Sequence, residues 1–480
     1  MPARAVVIGS GPNGVAAGIA LAQGGLDVEI REAADKPGGG ARSGELTLPG
    51  FVHDYCSAVH PMALASPFFS TLRLDLHGLE WIQPSAPAAH PLDDGTAVLV
   101  ERDVRATAAN LGADGPAYRE LFEPVVENWD GIMSDALRPL VHWPRHPFQL
   151  ARFGVRAFQP ATLLAKTAFR SSRARALFAG MAAHSILKLE SPLSSAFGIM
   201  LGGAAHAVGW PIPRGGAQNI TNALLEVFNG LDGRIYTGRR VDSLVDLNGP
   251  ALTLCDVSPK GFLGIAKEQL AGRPFADLMR QYKYGPGAYK LDWALSDPIP
   301  WRAKECLRAG TVHVGGTLEE IAASERDAMN GKPPTKPFVL LAQHSLFDST
   351  RAPAGRHTAW AYCHVPNGWT GSAEREIEAQ IERFAPGFRD CILARAVTTP
   401  HDVERRDENL VGGDVNCGIP NLNQFIFRPT WRQYGTPLKG VYLCSAATPP
   451  GGGVHGMCGY NAAQMALRWL KGRRGAVRSE

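Results

Sequence analysis

Three closely spaced glycines, Gly9, Gly11 and Gly14, are the first residues whose spacing indicates a chemical role. They follow a short apolar run at residues 4–8 and precede a longer one at residues 15–26, a pattern typical of a buried strand, a tight turn and a helix. Glycines at such a turn let backbone N–H groups approach a pyrophosphate at the N-terminus of the helix. The sequence therefore predicts a dinucleotide site that uses the whole loop: Gly9, Ser10, Gly11, Pro12, Asn13 and Gly14.

An acidic residue and a second glycine loop follow. Residues 27–30 predict a second strand, and Glu32 lies 18 residues after Gly14, where a carboxylate can accept hydrogen bonds from a ribose. Residues 36–43 then carry three glycines and Arg42 at a point where a nicotinamide-binding domain would normally begin a crossover helix. This second loop is suited to reach back to a diphosphate, and the residues assigned to the cofactor here are Glu32, Ala33, Gly39, Gly40, Ala41 and Arg42.

The two loops together resemble the FAD-binding opening of phytoene desaturases, carotenoid isomerases and amine oxidases. The run at residues 48–61, LPGFVHDYCSAVHP, is similar to the phytoene dehydrogenase-related branch of that family. The resemblance implies an FAD cofactor, with the segment at residues 54–57 beside the isoalloxazine, and Ser57, Ala58 and Val59 are assigned to the cofactor. It also implies that Val241 presents its backbone to the adenine.

The resemblance implies an α/β fold as well: a Rossmann-like FAD-binding domain interleaved with a substrate domain of mixed sheet and helices. A chain of 480 residues is too long for one ordinary core, which also favours two domains. The FAD-binding domain is expected at residues 1–70, 205–270 and 405–480, and the substrate domain at residues 71–204 and 271–404. Residues 234–237 and 239–245 are expected to be strands.

A second strand, glycine loop and helix lie near the C-terminus, at residues 441–444, 451–454 and 455–470. In the family this helix directs its N-terminus at the flavin, where it favours the negative charge that develops on reduction. Relatives tend to have Gly, with Ala or Asp, before the threonine, whereas this chain has Ser445-Ala446-Ala447, so Ser445 or Thr448 is left for the ribityl contact. The cofactor residues assigned here are Ser445, Gly453, Val454, His455 and Met457.

Candidate catalytic groups are His60, which follows the segment that relatives place beside the flavin, and His455 near its other edge. Each is a candidate proton donor because histidine titrates near neutrality, and each is alternatively a structural histidine bonded to backbone.

Lys290 and Asp292 alternate with Leu291 and Trp293, so they share one face of a strand. They either pair there or face the cavity.

The composition excludes several classes of function. The net charge of +4 is too small to argue for a nucleic-acid partner, and no metal-ligand motif is present. The eight cysteines show no CxxC, which indicates free thiols in a reducing compartment. No signal peptide is visible, because the first apolar residues already form the first strand, so a cytoplasmic protein is expected. A homodimer is compatible with the sequence.

The middle of the chain is unusual in its charge. Residues 138–189 contain nine Lys/Arg and no Asp/Glu, interleaved with aromatic and aliphatic residues. This segment is either a basic amphipathic surface that makes peripheral contact with anionic lipid or, more economically, a set of ordinary helices with a solvated basic face. Residues 191–213 carry no charged side chain but are interrupted by prolines and glycines, so a buried helix that lines the active-site cavity is expected rather than a membrane span.

The sequence contains one dinucleotide fingerprint, so electrons are expected to come from an apolar small-molecule substrate and leave to oxygen or a quinone. Desaturation, oxidation and flavin-assisted isomerisation all fit. An amine oxidase, which would need an aromatic cage beside the flavin, is the rival enzyme. A flavin-bound interaction protein with little turnover is the alternative outside enzymology.

Overall fold

A computed structural model describes residues 2–139 and 143–478. Its strands are β1 Arg4–Ile8, β2 Asp27–Arg31, β3 Ser43–Glu45, β4 Val52–Asp54, β5 Trp81–Ile82, β6 Ala86–Pro91, β7 Ala97–Val100, β8 Ile212–Pro213, β9 Arg234–Tyr236, β10 Leu252–Cys255, β11 Gly287–Leu295, β12 Ala309–Val314, β13 Val339–Ala342, β14 His357–Val365, β15 Ile392–Thr398 and β16 Val441–Leu443.

The α-helices are α1 Pro12–Gln23, α2 Pro61–Leu64, α3 Val104–Asn110, α4 Gly115–Glu127, α5 Trp129–Ala136, α6 Pro147–Ala157, α7 Ala161–Ala168, α8 Ser172–Ala183, α9 Ser194–Ala207, α10 Gln218–Asn229, α11 Pro259–Ile265, α12 Lys267–Leu270, α13 Pro274–Arg280, α14 Leu318–Met329, α15 Glu374–Phe384, α16 Pro400–Arg406, α17 Leu422–Ile426 and α18 Met457–Arg478.

The first sheet is parallel throughout, in the order β16-β10-β1-β2-β9. Side chains of β1 alternate between its faces: Ala5 and Val7 join the main core cluster with α1, whereas Val6 and Ile8 pack into a smaller cluster with Phe262. Helices therefore cover both faces, which explains why the first strand reads as a continuous apolar run rather than an alternating one. Residues 239–245, expected to be a strand, instead form a loop and a 3₁₀ turn at Leu244–Leu247.

The second sheet is mixed, in the order β15-β11-β14-β13-β12-β6-β7. One face packs on its own core cluster with α15, to which β11 contributes Tyr289, Leu291 and Trp293. The opposite face of β11 carries Lys290 and Asp292, and Lys290 lies on the wall of the large cavity. The period of two along this strand thus places polar side chains over the cavity. The boundaries of the two domains stay a prediction.

Helix α9 is the buried helix expected from the uncharged segment at residues 191–213. It packs between α8, α4 and α6, and its glycines allow these close approaches. A Cβ at Gly202 would lie 2.5 Å from a ring carbon of Phe122, and one at Gly203 would lie 2.7 Å from Val125. Its other residues, including Phe197 and Met200, line the cavity.

Candidate cofactor and substrate site

The turn between β1 and α1 is shaped so that no side chain can enter it. Gly9 has φ +95°, and a Cβ at Gly14 would lie 2.2 Å from the carbonyl oxygen of Gly9. Pro12 begins α1, where the missing N–H costs nothing because the first amides of a helix have no intrahelical partner. The N-terminus of α1 makes this turn an anion site of the kind that binds a pyrophosphate.

Glu32 is held firmly at the end of β2. Its Oε2 accepts hydrogen bonds from the Ser10 amide at 2.8 Å and the Ser10 hydroxyl at 2.6 Å, and its Oε1 accepts one from the Ala34 amide at 2.8 Å. The carboxylate is therefore fixed beside the first glycine loop and forms part of the cavity wall. This is the position that suits a ribose contact.

The second glycine loop touches the first. A Cβ at Gly39 would lie 3.1 Å from the Cα of Gly11, and Gly39 has φ +53°. Arg42 is anchored in this loop, because its guanidinium donates to the carbonyl oxygen of Gly39 at 2.7 Å and to that of Arg406 at 2.6 Å. The cation is thus placed at the wall of the groove, where it can offset the charge of a diphosphate.

Asp256 is a residue of this groove that sequence reasoning missed. Its Oδ2 accepts a hydrogen bond from the Gly14 amide at 2.8 Å, and it is buried where β10 ends beside β1. Burial raises the pKa of Asp256 to about 8, and the nearby carboxylates of Asp407 and Glu32 act in the same direction. The carboxyl group is therefore neutral at neutral pH. Its place at the carboxyl end of a parallel strand is where such folds collect ligand-binding groups.

One cavity of about 1290 Å³ runs from the glycine loops to the helical part of the molecule. A usual small-molecule pocket is about 300–1,000 Å³, so this space can hold a dinucleotide and a second molecule. Its wall away from the glycine loops is largely apolar and includes Leu150, Phe153, Phe197, Met200, Leu201, Leu340 and Phe425. Few polar side chains lie on this part of the wall, so each of them is a candidate for contact with a bound molecule.

Most of the residues assigned from the sequence lie on this cavity wall: Gly9, Ser10, Gly11, Pro12, Asn13, Glu32, Ala33, Gly39, Gly40, Ala41, Arg42, Ser57, Ala58, Val59, His60, Val241, Ser445, Gly453, Val454 and His455. Gly14 and Met457 do not, and their amides are bonded within the protein, to Asp256 and to His455. Thr448 is fully buried and donates to the carbonyl oxygen of Ser445, so it is not the group that contacts a ribityl chain. The individual binding roles stay predictions.

The two candidate histidines do not titrate near neutrality, and that part of the expectation is wrong. Burial lowers the pKa of His60 to about 4 and that of His455 to about 4. His455 accepts a hydrogen bond from the Met457 amide at 3.0 Å, so it caps α18. His60 lies on the cavity wall, and both of its ring nitrogens are buried without a hydrogen-bond partner among the described residues. Such orphaned atoms fit a site whose ligand completes the hydrogen bonding.

Lys290 and Asp292 pair, and Lys290 also lies on the cavity wall. The Lys290 ammonium donates to Oδ2 of Asp292 and lies 5.7 Å from the ring centroid of Trp360. Both side chains are almost fully buried, and burial lowers the pKa of Lys290 and raises that of Asp292. A lysine in such surroundings exchanges its proton more readily than one in water.

A second buried pair, His184 and His313, was missed because it joins the end of α8 to β12. The two Nε2 atoms are 2.9 Å apart, and His184 lies on the cavity wall. Nδ1 of His313 has no partner and would be 2.7 Å from a Cβ at Gly180, so it faces backbone. We assign the proton of His313 to Nε2, because a buried N–H without a partner costs more than a lone pair. His184 then carries its proton on Nδ1, the atom left for a ligand.

A buried ion pair ties the second glycine loop to the rest of the molecule. Asp54 in β4 accepts from Arg351 at 2.6 Å, and it also accepts from Ser43 and from the Ala217 amide. Burial alone would raise the pKa of Asp54, but Arg351 holds it well below its usual range. Neither side chain of the pair is exposed to solvent.

The fold and the groove are those of a dinucleotide-binding protein, and comparisons with known proteins agree. Residues 7–70 match a family model described as an NAD(P)-binding Rossmann-like domain. The chain is 27% identical to mouse "Pyridine nucleotide-disulfide oxidoreductase domain-containing protein 2", over 97% of this chain and 94% of that one. It is 24% identical to the neurosporene-forming phytoene desaturase of Rhodobacter capsulatus, over 95% and 92% of the two chains. A structure of wild-type putrescine oxidase bound to putrescine superposes with a TM-score of 0.60 at 15% identity, over 99% of each chain.

Residues 7–70 are thus similar to a Rossmann-like nucleotide-binding domain, and nearly the whole chain is similar to proteins named as an oxidoreductase, a phytoene desaturase and an oxidase. The predicted fold class is confirmed. The groove fits FAD as its dinucleotide: the two touching glycine loops, Glu32 and Arg42 suit the ribose and the diphosphate. All eight cysteines are free thiols, as the sequence predicted. Among the described residues, no helix is long and apolar enough to cross a membrane.

Proposed function

We propose that this protein is an FAD-dependent oxidoreductase that acts on an apolar, extended substrate such as a polyene. The observation that carries the proposal is the continuous cavity, which joins the dinucleotide groove to a largely apolar chamber. The name of the phytoene desaturase relative supports an apolar substrate, and the match to it covers nearly all of both chains. Desaturation, oxidation and isomerisation remain the reactions that such a chamber accommodates.

When bound, FAD supplies the electron-accepting chemistry. The protein's own contribution begins with the apolar walls, which exclude water and orient the substrate along the chamber. Lys290 holds a proton against Asp292 at the wall and can pass it to, or take it from, a group that comes within hydrogen-bond reach. His60 is neutral, so it offers one donor and one acceptor to whatever occupies the cavity.

Electrons are proposed to leave to oxygen or a quinone rather than to a nicotinamide. The sequence holds one dinucleotide fingerprint, at residues 9–14, and the cavity in which it lies also contains the apolar chamber. With one dinucleotide site, the electrons are proposed to leave to a diffusible acceptor.

The test is the visible spectrum of the purified protein, followed by anaerobic titration with candidate substrates. We expect a yellow protein that releases FAD on acid precipitation and whose flavin absorbance is bleached by a polyene. Lys290→Met, which removes the cavity-facing ammonium, should bleach more slowly with the same spectrum before addition. Bleaching by primary amines and not by polyenes would identify an amine oxidase instead. FAD-loaded protein that no reductant of either class bleaches would favour the flavin-bound interaction protein.

A further inference from the structure

Large apolar side chains that face solvent are concentrated in two short segments of the described chain. Of the fifteen exposed large hydrophobic residues, nine lie in residues 143–163 or 422–431. Trp143 is 91% exposed and Phe148 is 90% exposed. We call these nine side chains the aromatic lip: Trp143, Phe148, Val155, Phe158, Leu163, Leu422, Ile426, Phe427 and Trp431. Single exposed hydrophobic residues are ordinary, but a cluster of this size marks an interaction surface.

The aromatic lip reaches the wall of the cavity at Phe158. Phe158 is half exposed and also lines the cavity, and its ring meets that of Phe425 edge-on at 6.1 Å. Helix α6 has one face on the cavity, through Leu150 and Phe153, while Phe148 and Val155 on its other side face solvent. The helix therefore separates the apolar chamber from the surface and is apolar on both sides.

The two chain segments that carry the aromatic lip contain no acidic residue of their own. Residues 138–189 contain nine Lys/Arg and no Asp/Glu, and residues 415–479 contain no Asp/Glu. Arg145 and Arg152 are exposed and have no acidic partner among the described residues, whereas Arg156 pairs with Glu120. Aromatic side chains beside unpaired arginines are the pattern of a surface that binds anionic lipid headgroups and buries its apolar groups beneath them.

We propose that the aromatic lip docks on an anionic lipid bilayer, so that the cavity opens into the membrane interface. Contact is peripheral: Trp143, Phe148 and Trp431 enter the interface, and Arg145 and Arg152 lie at the headgroups. The sequence alone favoured a solvated basic face, and the exposure of Trp143 and Phe148 reverses that preference. The proposal concerns the surface and does not depend on which substrate the cavity holds.

The experiment is flotation of the purified full chain with vesicles of phosphatidylcholine alone and with vesicles that also contain phosphatidylglycerol. We expect binding to the anionic vesicles that weakens as salt is added. Arg145→Gln/Arg152→Gln should reduce partitioning by about thirtyfold, since each arginine near an anionic surface contributes about fivefold. Trp143→Ser/Phe148→Ser should reduce binding to the anionic vesicles as well.

The matched control is Val245→Ser, which removes an exposed apolar side chain outside the aromatic lip and should bind as the wild type does. Because the substituted side chains are exposed, each variant should keep the flavin spectrum and the melting temperature. Equal flotation with both kinds of vesicle, or loss of binding in the control as well, would overturn the proposal. So would a dimer that Trp143→Ser/Phe148→Ser converts to a monomer without any vesicle binding, which would make the aromatic lip an interface between two copies.

Discussion

Asp256 offers the sharpest test of the electrostatics of the groove, through the substitution Asp256→Asn. The side chain is buried and accepts a hydrogen bond from the Gly14 amide, and its pKa is raised to about 8, first by burial and then by nearby carboxylates. Asparagine keeps the shape and the acceptor oxygen and carries no charge. The substitution therefore imitates the protonated carboxyl group at every pH.

The sign of the effect follows from proton linkage. The pKa of Asp256 is 3.8 without the fold and about 8 in it, so across that window the folded protein holds a proton that the unfolded chain has released. The stability from this group is fully present below pH 4 and is lost as pH rises through 8. The free energy of unfolding of the wild type therefore falls by up to about 1.4 kcal/mol per pH unit from this group. Asp256→Asn has no such loss. The difference in free energy of unfolding between the variant and the wild type should therefore grow by up to about 1.4 kcal/mol per pH unit.

The assay is denaturant unfolding of the FAD-free protein from pH 5 to pH 8, monitored by tryptophan fluorescence. Asp277→Asn, at an exposed position in α13, serves as the control and should follow the wild type at every pH. Parallel curves for Asp256→Asn and the wild type would mean that the carboxyl group is ionised in the folded protein, which would refute the reasoning. As a second readout, FAD should bind both proteins equally at pH 6 and bind the variant more tightly at pH 9, because an ionised Asp256 repels a diphosphate.

Three further substitutions probe the groove, the buried ion pair and the cavity. Gly14→Ala should abolish FAD loading, because its Cβ would lie 2.2 Å from a carbonyl oxygen, whereas Gly472→Ala has no neighbour within 4 Å and should keep the flavin spectrum. Arg351→Met should lower the free energy of unfolding by about 3–5 kcal/mol, measured by denaturation, because it leaves Asp54 buried without its cation. Lys290→Met should slow anaerobic bleaching by a productive substrate by about 10²-fold or more in stopped flow, and an unchanged rate would make this lysine structural.

The part of the groove that is local in sequence could be predicted. Strand, glycine turn, helix and acid follow one another within residues 4–32, and their spacing is sufficient to predict how they are arranged around the groove. Asp256 could not be found in that way. Asp256 contacts Gly14 only because β10 pairs with β1. The order of strands in a sheet depends on tertiary packing, so a local sequence pattern does not predict it. The same is true of His184 and His313, which are 129 residues apart in the chain.

The sequence also misjudged the charge of the candidate acids, and the reason bears on function. Histidine titrates near neutrality only while water solvates its charged form, and burial lowers the pKa of His60 and of His455 to about 4. The same burial lowers the pKa of Lys290 and raises that of Asp256. These four side chains are thus pushed toward their neutral forms, which suits an apolar substrate, because a neutral side chain leaves no charge without water when the substrate covers it.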